Sequence, residues 1–382
     1  MGGATVPAVV QIAGSFHVVP AGDIPPDARI HRIHEETKPV STEHHWPDAP
    51  ADLFGAAPVV VYGMPDATYH GRPELGSTGV KQARKDPRRI GVSVDKPEFA
   101  FGRMVHCAVG EPDEFGNRYA REPHSGDCPG ALRTNAEMAA AIKAAAPKVA
   151  TSGKTKAVLA DLVREHCPDA MLWDDIVRDA AKANEGKILV PGYDYRNAER
   201  IAEAVRSHHD IQRLGILDGG VAESSWFAPV RYDSPELYGV EWAAKARPDY
   251  DKPDGFGGGR ITDLKTAKNI GDADCYQWLR SAVNFGYDIS AAWYLDVLEA
   301  CGERRDRWTW IVVDKSTLDD GGPIRVECLT AETHWEMFDN ARRKIARALE
   351  NLHRYREEPE QWERAAQRER VVMWPAWDLK EG

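Results

Sequence analysis

Asp249 and Asp263 stand at matching distances on either side of a glycine-rich run, Asp254-Gly255-Phe256-Gly257-Gly258-Gly259, and Lys265 follows the second acid with only Leu264 between. Glycine takes positive φ without steric cost, so this run is where the chain reverses. With the turn centred near Phe256, the flanking segments pair antiparallel and Asp249 lies opposite Asp263, Cβ atoms roughly 5 Å apart. A strand alternates faces, so Asp263 and Lys265 share one face while Leu264 points into apolar packing. Two facing carboxylates repel unless a cation sits between them, and all-oxygen sites of this kind suit Mg2+ or Mn2+. The lysine then holds an activated water and offsets charge on a phosphate. The chemistry this arrangement points to is metal-dependent hydrolysis of a phosphodiester.

An acid two residues before a lysine is common in a chain with 29% charged residues, and it recurs at Glu36-Thr37-Lys38, Glu185-Gly186-Lys187 and Asp378-Leu379-Lys380. None of those has a second acid across a glycine-rich reversal. A solvated pair on an edge strand is the plain alternative for Asp263 and Lys265.

The rest of the chain reads as an α/β fold with one mixed sheet flanked by helices. Residues 1–60 are Pro-rich and of mixed pattern, an N-terminal extension ahead of a domain over 61–382. Helices are expected over Gly79–Arg89, Phe99–Val109, Ala136–Ala145, Lys156–Glu165, Trp173–Ala180 and Asn197–His208. The alanine- and leucine-rich members form a helical insertion at about 150–185. Strands follow at Ala222–Phe227 and Leu237–Ala246, then the hairpin, then one or two helices over Ala273–Glu299. Strands Trp308–Asp314 and Ile324–Leu329 close the sheet, and a long helix over Ala331–Arg356 ends the core.

Composition narrows the class. At 382 residues and 42% hydrophobic, the chain can bury a sizeable core. Its longest apolar runs, such as 56–62, fall far short of a bilayer span, so no membrane partner is expected. The N-terminus lacks the basic start and unbroken apolar stretch of a secretory signal, which makes the cytoplasm the default location. Six cysteines are scattered without C-x-x-C spacing, which argues against an iron-sulfur cluster or zinc and for reduced thiols. A net charge of −11 opposes binding of nucleic acid over the whole outer surface. Local basic stretches remain available, Lys81, Arg84, Lys85, Arg88 and Arg89 in one helix and Arg342, Arg343, Lys344 and Arg347 in another.

Several segments, in order from about Tyr69 to Trp377, resemble the PD-(D/E)XK nuclease superfamily and, within it, the RecE-like (exodeoxyribonuclease VIII type) phage exonucleases. The run Phe99-Ala-Phe-Gly-Arg103-Met-Val-His106 is similar to that family's FG-x-x-x-H helix. Val221-Ala-Glu223-Ser-Ser-Trp226 resembles its acidic strand before the hairpin. Gly286-Tyr287-Asp288-Ile-Ser290-Ala-Ala-Trp-Tyr294-Leu-Asp296 resembles its GYH-x-QAAFYLD helix. Two departures stand out: Ser290 replaces the glutamine of the Q-x-x-x-Y motif, and Asp288 replaces the histidine.

The resemblance implies a PD-(D/E)XK core in which Asp249, Asp263, the Leu264 carbonyl, His106 and Glu223 hold the metal. Asp249, Asp263, Lys265 and His106 carry the catalysis, and Arg103, Arg247, Ser290 and Tyr294 touch DNA. It also implies 5′-to-3′ digestion of linear double-stranded DNA from its ends, leaving a 3′ single strand for a RecT-like annealing protein. The expected form is a ring-shaped homo-oligomer in a bacterial host, phage- or prophage-encoded. A catalytically silent DNA-binding member of the fold and an endonuclease or nickase with the same site are the rival readings.

Overall fold

The expected hairpin forms, and its register is the one the glycine run dictates. Strands Tyr250–Pro253 and Gly259–Ala267 pair antiparallel, with Tyr250 opposite Thr262 and Pro253 opposite Gly259. Asp254 closes the turn by accepting from the Phe256 and Gly258 amides at 2.8 and 3.0 Å. Gly259 has φ +135, and a Cβ there would lie 2.4 Å from the Lys252 carbonyl oxygen, so only glycine fits. The structure, a computed structural model, describes residues 8–12, 15–19, 29–30, 58–92, 97–318 and 321–366. Most of the 1–60 extension and all of Asp378-Leu379-Lys380 lie outside them. Within 1–60, Ala8–Ile12, Ser15–Val19 and Arg29–Ile30 pair as a small antiparallel sheet.

The chain divides into two units: one made of Met1–Val94, Arg213–Val312 and Glu327–Gly382, the other of Asp95–Gln212 and Val313–Val326. The first contains the hairpin. Its five-stranded sheet runs in the order Val326–Glu332, Arg307–Asp314, Gly259–Ala267, Tyr250–Pro253, Val221–Ala222, which makes Gly259–Ala267 the central strand. A three-stranded antiparallel sheet, Val59–Val61, Ser225–Val230 and Trp242–Ala246, lies in the same unit. Helix Tyr287–Ala300 packs on the last two of these strands and on helices Ser77–Lys85 and Glu336–Glu357. Ile289, Ala291, Ala292, Trp293, Val297 and Leu298 of that helix are fully buried, which is why its sequence is apolar nearly all round. The Trp293 indole N–H donates to the Lys245 carbonyl at 3.1 Å, so its one polar group is satisfied inside the core.

The second unit is largely helical. Helices Asn135–Ala145 and Lys156–His166 share a core of Met138, Ile142, Leu159 and Val163, closed by Leu172 ahead of helix Trp173–Ala183. Thr134 and Glu137 cap the first of them reciprocally. Helix Pro97–Gly110 packs against Gly192–Ser207, and Arg206 ties the end of the first by donating to the carbonyls of Ala108 and, at 3.1 Å, Val109.

Several element boundaries differ from expectation: the helix expected from Asn197 begins at Gly192, and the strand expected over Ala222–Phe227 is broken between Ala222 and Ser225. The helix expected over Gly79–Arg89 is Ser77–Lys85 followed by a single 3-10 turn, Pro87–Arg89, because Pro87 lacks the amide to continue and disfavours helical geometry at Asp86. The strand expected from Leu237 begins at Trp242; Pro235–Leu237 form a 3-10 turn and Gly239 has φ +76. The last long helix begins at Glu336, since Ala331 and Glu332 belong to the strand before it. No disulfide links the six cysteines, and Cys107, Cys275 and Cys301 are buried. No helix among the described residues is long and apolar enough to cross a membrane.

Candidate active site on the hairpin

The rung beyond Tyr250 and Thr262 brings Asp249 level with Asp263. Asp249 is held there by the strand it faces: its Oδ2 accepts from the Leu264 amide at 2.7 Å. Leu264 itself is buried, as the alternation requires. On the opposite face Lys265 Nζ donates to Asp263 Oδ1 at 2.6 Å and to the Leu264 carbonyl at 3.2 Å. Its ammonium also lies 5.4 Å from the centre of the Tyr287 ring. Burial acts to lower the pKa of this ammonium, but Asp263 and Asp249 outweigh it and hold it above the ordinary lysine range. Between two carboxylates, Lys265 is a cation and a hydrogen-bond donor at neutral pH, not a base.

Glu223 joins from the edge of the sheet. It lies between Val221–Ala222 and Ser225–Val230 with φ +53, one of two non-glycine residues with positive φ among the described residues. Its amide donates to the Asp249 carbonyl at 3.2 Å. The left-handed turn brings a Glu223 carboxylate oxygen within 4.8 Å of one from Asp249. Strain of about 1–2 kcal/mol in an L-residue at this φ persists only where the surroundings impose it, and such outliers cluster at ligand sites. The donor set is therefore two close carboxylates, a third from Asp263 across the rung, and a nearby peptide carbonyl, which suits a hard divalent cation.

Arg247 faces the protein. Its Nε reaches Glu223 Oε2 and the Glu223 carbonyl, each at 3.2 Å. Its other nitrogens reach the Met64 carbonyl and, at 3.4 Å, Asp66 Oδ1. The guanidinium also lies 5.0 Å over the Tyr69 ring. Nearly buried and fully engaged, it fixes the position of Glu223. Tyr294 adjoins the acids: burial first, then Asp249 and Asp263, raise its pKa, so the phenol stays a proton donor. Ser290 accepts from Lys81 Nζ at 2.9 Å. Arg103 and His106 lie on helix Pro97–Gly110 of the second unit, Arg103 exposed and His106 half-buried.

Three members of this neighbourhood were not singled out for it by the sequence. Lys81 read as part of a basic surface stretch, yet it follows Ser77 by one helical turn on the face that buries Ser77 and Val80. Burial and the charge of Lys265 lower its pKa to about 8, against Asp263 and Asp288. Tyr69 and Lys245 carry no motif. Lys245 Nζ donates to the Tyr69 and Arg72 carbonyls at 2.8 and 2.7 Å, a role visible only in three dimensions.

An acid ahead of a hairpin, bonded across to an Asp-x-Lys on the central strand of a sheet flanked by helices, defines the PDDEXK class, a nuclease-type fold. Residues 88–369, well over half of the chain, match the family described as PDDEXK-like domain of unknown function (DUF3799), and the chain belongs to that family. Among curated proteins none matches significantly. Two solved structures are similar at low identity. A candidate exonuclease from Eubacterium rectale is 15% identical over 68% of this chain and 96% of its own, with a TM-score of 0.30. A phage related exonuclease from Haemophilus somnus 129PT is 14% identical over 49% of this chain and 85% of its own, with a TM-score of 0.27.

Proposed function

We propose that this protein is a Mg2+-dependent deoxyribonuclease that digests linear double-stranded DNA from its ends. The observation that carries the reading is the hairpin, where the Asp249 carboxylate is pinned to the Leu264 amide and Lys265 reaches Asp263 on the next positions of the same strand. Asp249, Asp263, Glu223 and the Leu264 carbonyl are the groups that would hold the cation. His106 joins them on the strength of the FG-x-x-x-H resemblance. The cation, when bound, supplies Lewis acidity toward a phosphoryl oxygen and lowers the pKa of a water.

Lys265 orients the attacking water and offsets charge developing on the phosphate, for which a protonated ammonium is the right form. Arg247 and the strained backbone at Glu223 hold that carboxylate in place, so no reorganisation is needed when the substrate arrives. Tyr294 offers a proton-bearing hydroxyl beside the acids, and Ser290 with Lys81 supplies a donor pair where relatives carry a glutamine. Arg103 is exposed on its helix and, on the FG-x-x-x-H resemblance, is proposed as a DNA contact. The RecE-like resemblance further suggests 5′-to-3′ polarity, a 3′ strand passed to a RecT-like annealing protein, a homo-oligomeric ring, and work in the cytoplasm of a bacterial host on behalf of a phage or prophage.

The test is incubation with linear and with covalently closed circular duplex in the presence of Mg2+. Release of nucleotides from the linear form alone supports an end-requiring enzyme. Relaxation or linearisation of the circle overturns exonuclease specificity in favour of a nickase or endonuclease, and binding without cleavage of either overturns the enzyme reading.

A further inference from the structure

Two basic stretches far apart in sequence meet across one groove. Helix Ser77–Lys85 with its following 3-10 turn, and helix Glu336–Glu357, enclose an open pocket of about 910 Å³ lined by Arg84, Lys85, Arg88, Lys344, Arg347 and Arg354. The acids on its wall are already engaged: Asp86 is bound by Arg88 at 2.8 Å, and Glu350 accepts from Ser234. Arg88 also lies 5.3 Å over the Trp362 ring, and Arg354 pairs with Glu236 at 2.8 Å. Among the described residues no carboxylate pairs with Arg84, Lys85 or Arg347, and all three are exposed. A surplus of cations gathered in a concave wall, in a protein of net charge −11, is a local field that self-repulsion disfavours unless an anion is drawn to it.

The pocket connects to the hairpin through bonded neighbours. Lys344 holds Asp288 at 2.6 Å; Asp288 adjoins Tyr287, whose ring faces Lys265. Lys81, on the same helix as Arg84 and Lys85, bonds to Ser290 two positions beyond Asp288. Four residues, about 6 Å of helix, separate Lys81 from Lys85, a step of about two phosphates along a strand. We infer that this pocket binds backbone phosphates of the nucleic-acid substrate a few nucleotides from the scissile bond, anchoring the strand that the hairpin cuts. The inference rests on the nuclease reading for its substrate and adds a binding site to it. Arg84, Lys85 and Arg347 are the contacts. The other three cations keep their protein partners and shape the wall.

The test is the salt dependence of duplex binding by the full chain and by the Arg84→Gln/Lys85→Gln/Arg347→Gln variant, with circular dichroism on both. Each lost phosphate contact removes about 0.9 from the slope of log K against log salt, so the variant should be shallower by about 2 to 3. KM on long duplex should rise, with kcat near the parent value. The single variants Arg84→Gln and Arg347→Gln should each shift the slope by about 0.9, which keeps the test valid if the triple variant folds poorly. Parent-like slope and affinity in the folded variants overturn the inference. So does an unchanged duplex affinity accompanied by lost binding of polyglutamate, which would mark an acidic-protein surface. A parent that binds duplex but never cuts it overturns the nuclease reading alone, and the slope comparison still decides the pocket.

Discussion

Arg305→Leu should destabilise the fold by about 3–5 kcal/mol at pH 8, and the reason lies beside the active site. Arg305 grips Asp251 with two parallel bonds, Nε to Oδ1 at 2.7 Å and Nη2 to Oδ2 at 3.0 Å. The two side chains are 3% and 6% exposed. Asp251 lies on the short strand that follows Asp249, facing Ile261 on the central strand. Removing the guanidinium leaves a carboxylate in the core with no partner to offset its desolvation. The carboxyl has one escape, which is to take up a proton. Burial already raises its pKa, with Arg305 as the main opposing influence. In the variant that opposition is gone, so the folded-state pKa rises further above the unfolded value. A folded state that binds the proton more tightly loses stability as pH climbs through that folded pKa. The deficit should therefore be larger at pH 8 than at pH 5. Urea unfolding of parent and variant at both pH values measures it, and Arg305→Leu/Asp251→Leu should recover most of the loss because an apolar pair of similar volume replaces the ions. A loss below about 1 kcal/mol at both pH values, or a double variant no better than the single, would refute the reasoning.

Lys265→Ala should keep metal and duplex binding but lose about 10²-fold or more in nucleotide release, since it removes one preorganised charge at the reacting phosphate; near-parent turnover in a folded protein removes the assignment. His106→Ala should leave a trace of activity with near-parent melting temperature; a lowered melting temperature with turnover per folded molecule intact would make it a packing residue. Glu223→Gly should be more stable than Glu223→Ala by about 1–2 kcal/mol, because only glycine relaxes the positive φ, while both variants bind Mg2+ more weakly in calorimetry. Equal stability of the two would show that the backbone at Glu223 is unstrained.

The hairpin was legible because its signals are local and periodic. Glycines fix the reversal, and a period of two then dictates which residues share a face, so the level placement of Asp249 and Asp263 follows from counting. The helix at 287–300 was legible from its motif, and its all-round burial explains its apolar sequence. What escaped was set by tertiary partners. Arg247 carries the same charge whether it faces DNA or a glutamate, and only the fold turns it onto Glu223, Met64 and Tyr69. Charge alone groups Lys81 with its neighbours, although its helix phase sets it beside Ser290. Ala331 suits a helix by propensity, but pairing with strand Arg307–Asp314, a long-range contact, makes it part of a strand and delays the last helix to Glu336. The left-handed φ of Glu223 had no sequence signal, glutamate being an unusual residue for that conformation.

Acid-soluble nucleotide release from linear duplex tests the central claim most directly, measured side by side for the parent, Asp249→Ala and Asp263→Ala, in Mg2+ and in excess EDTA, with folding verified on the same preparations. The account predicts release by the parent in Mg2+ alone and almost none from either variant. Undiminished release in chelator, or near-parent release by either folded variant, would contradict it.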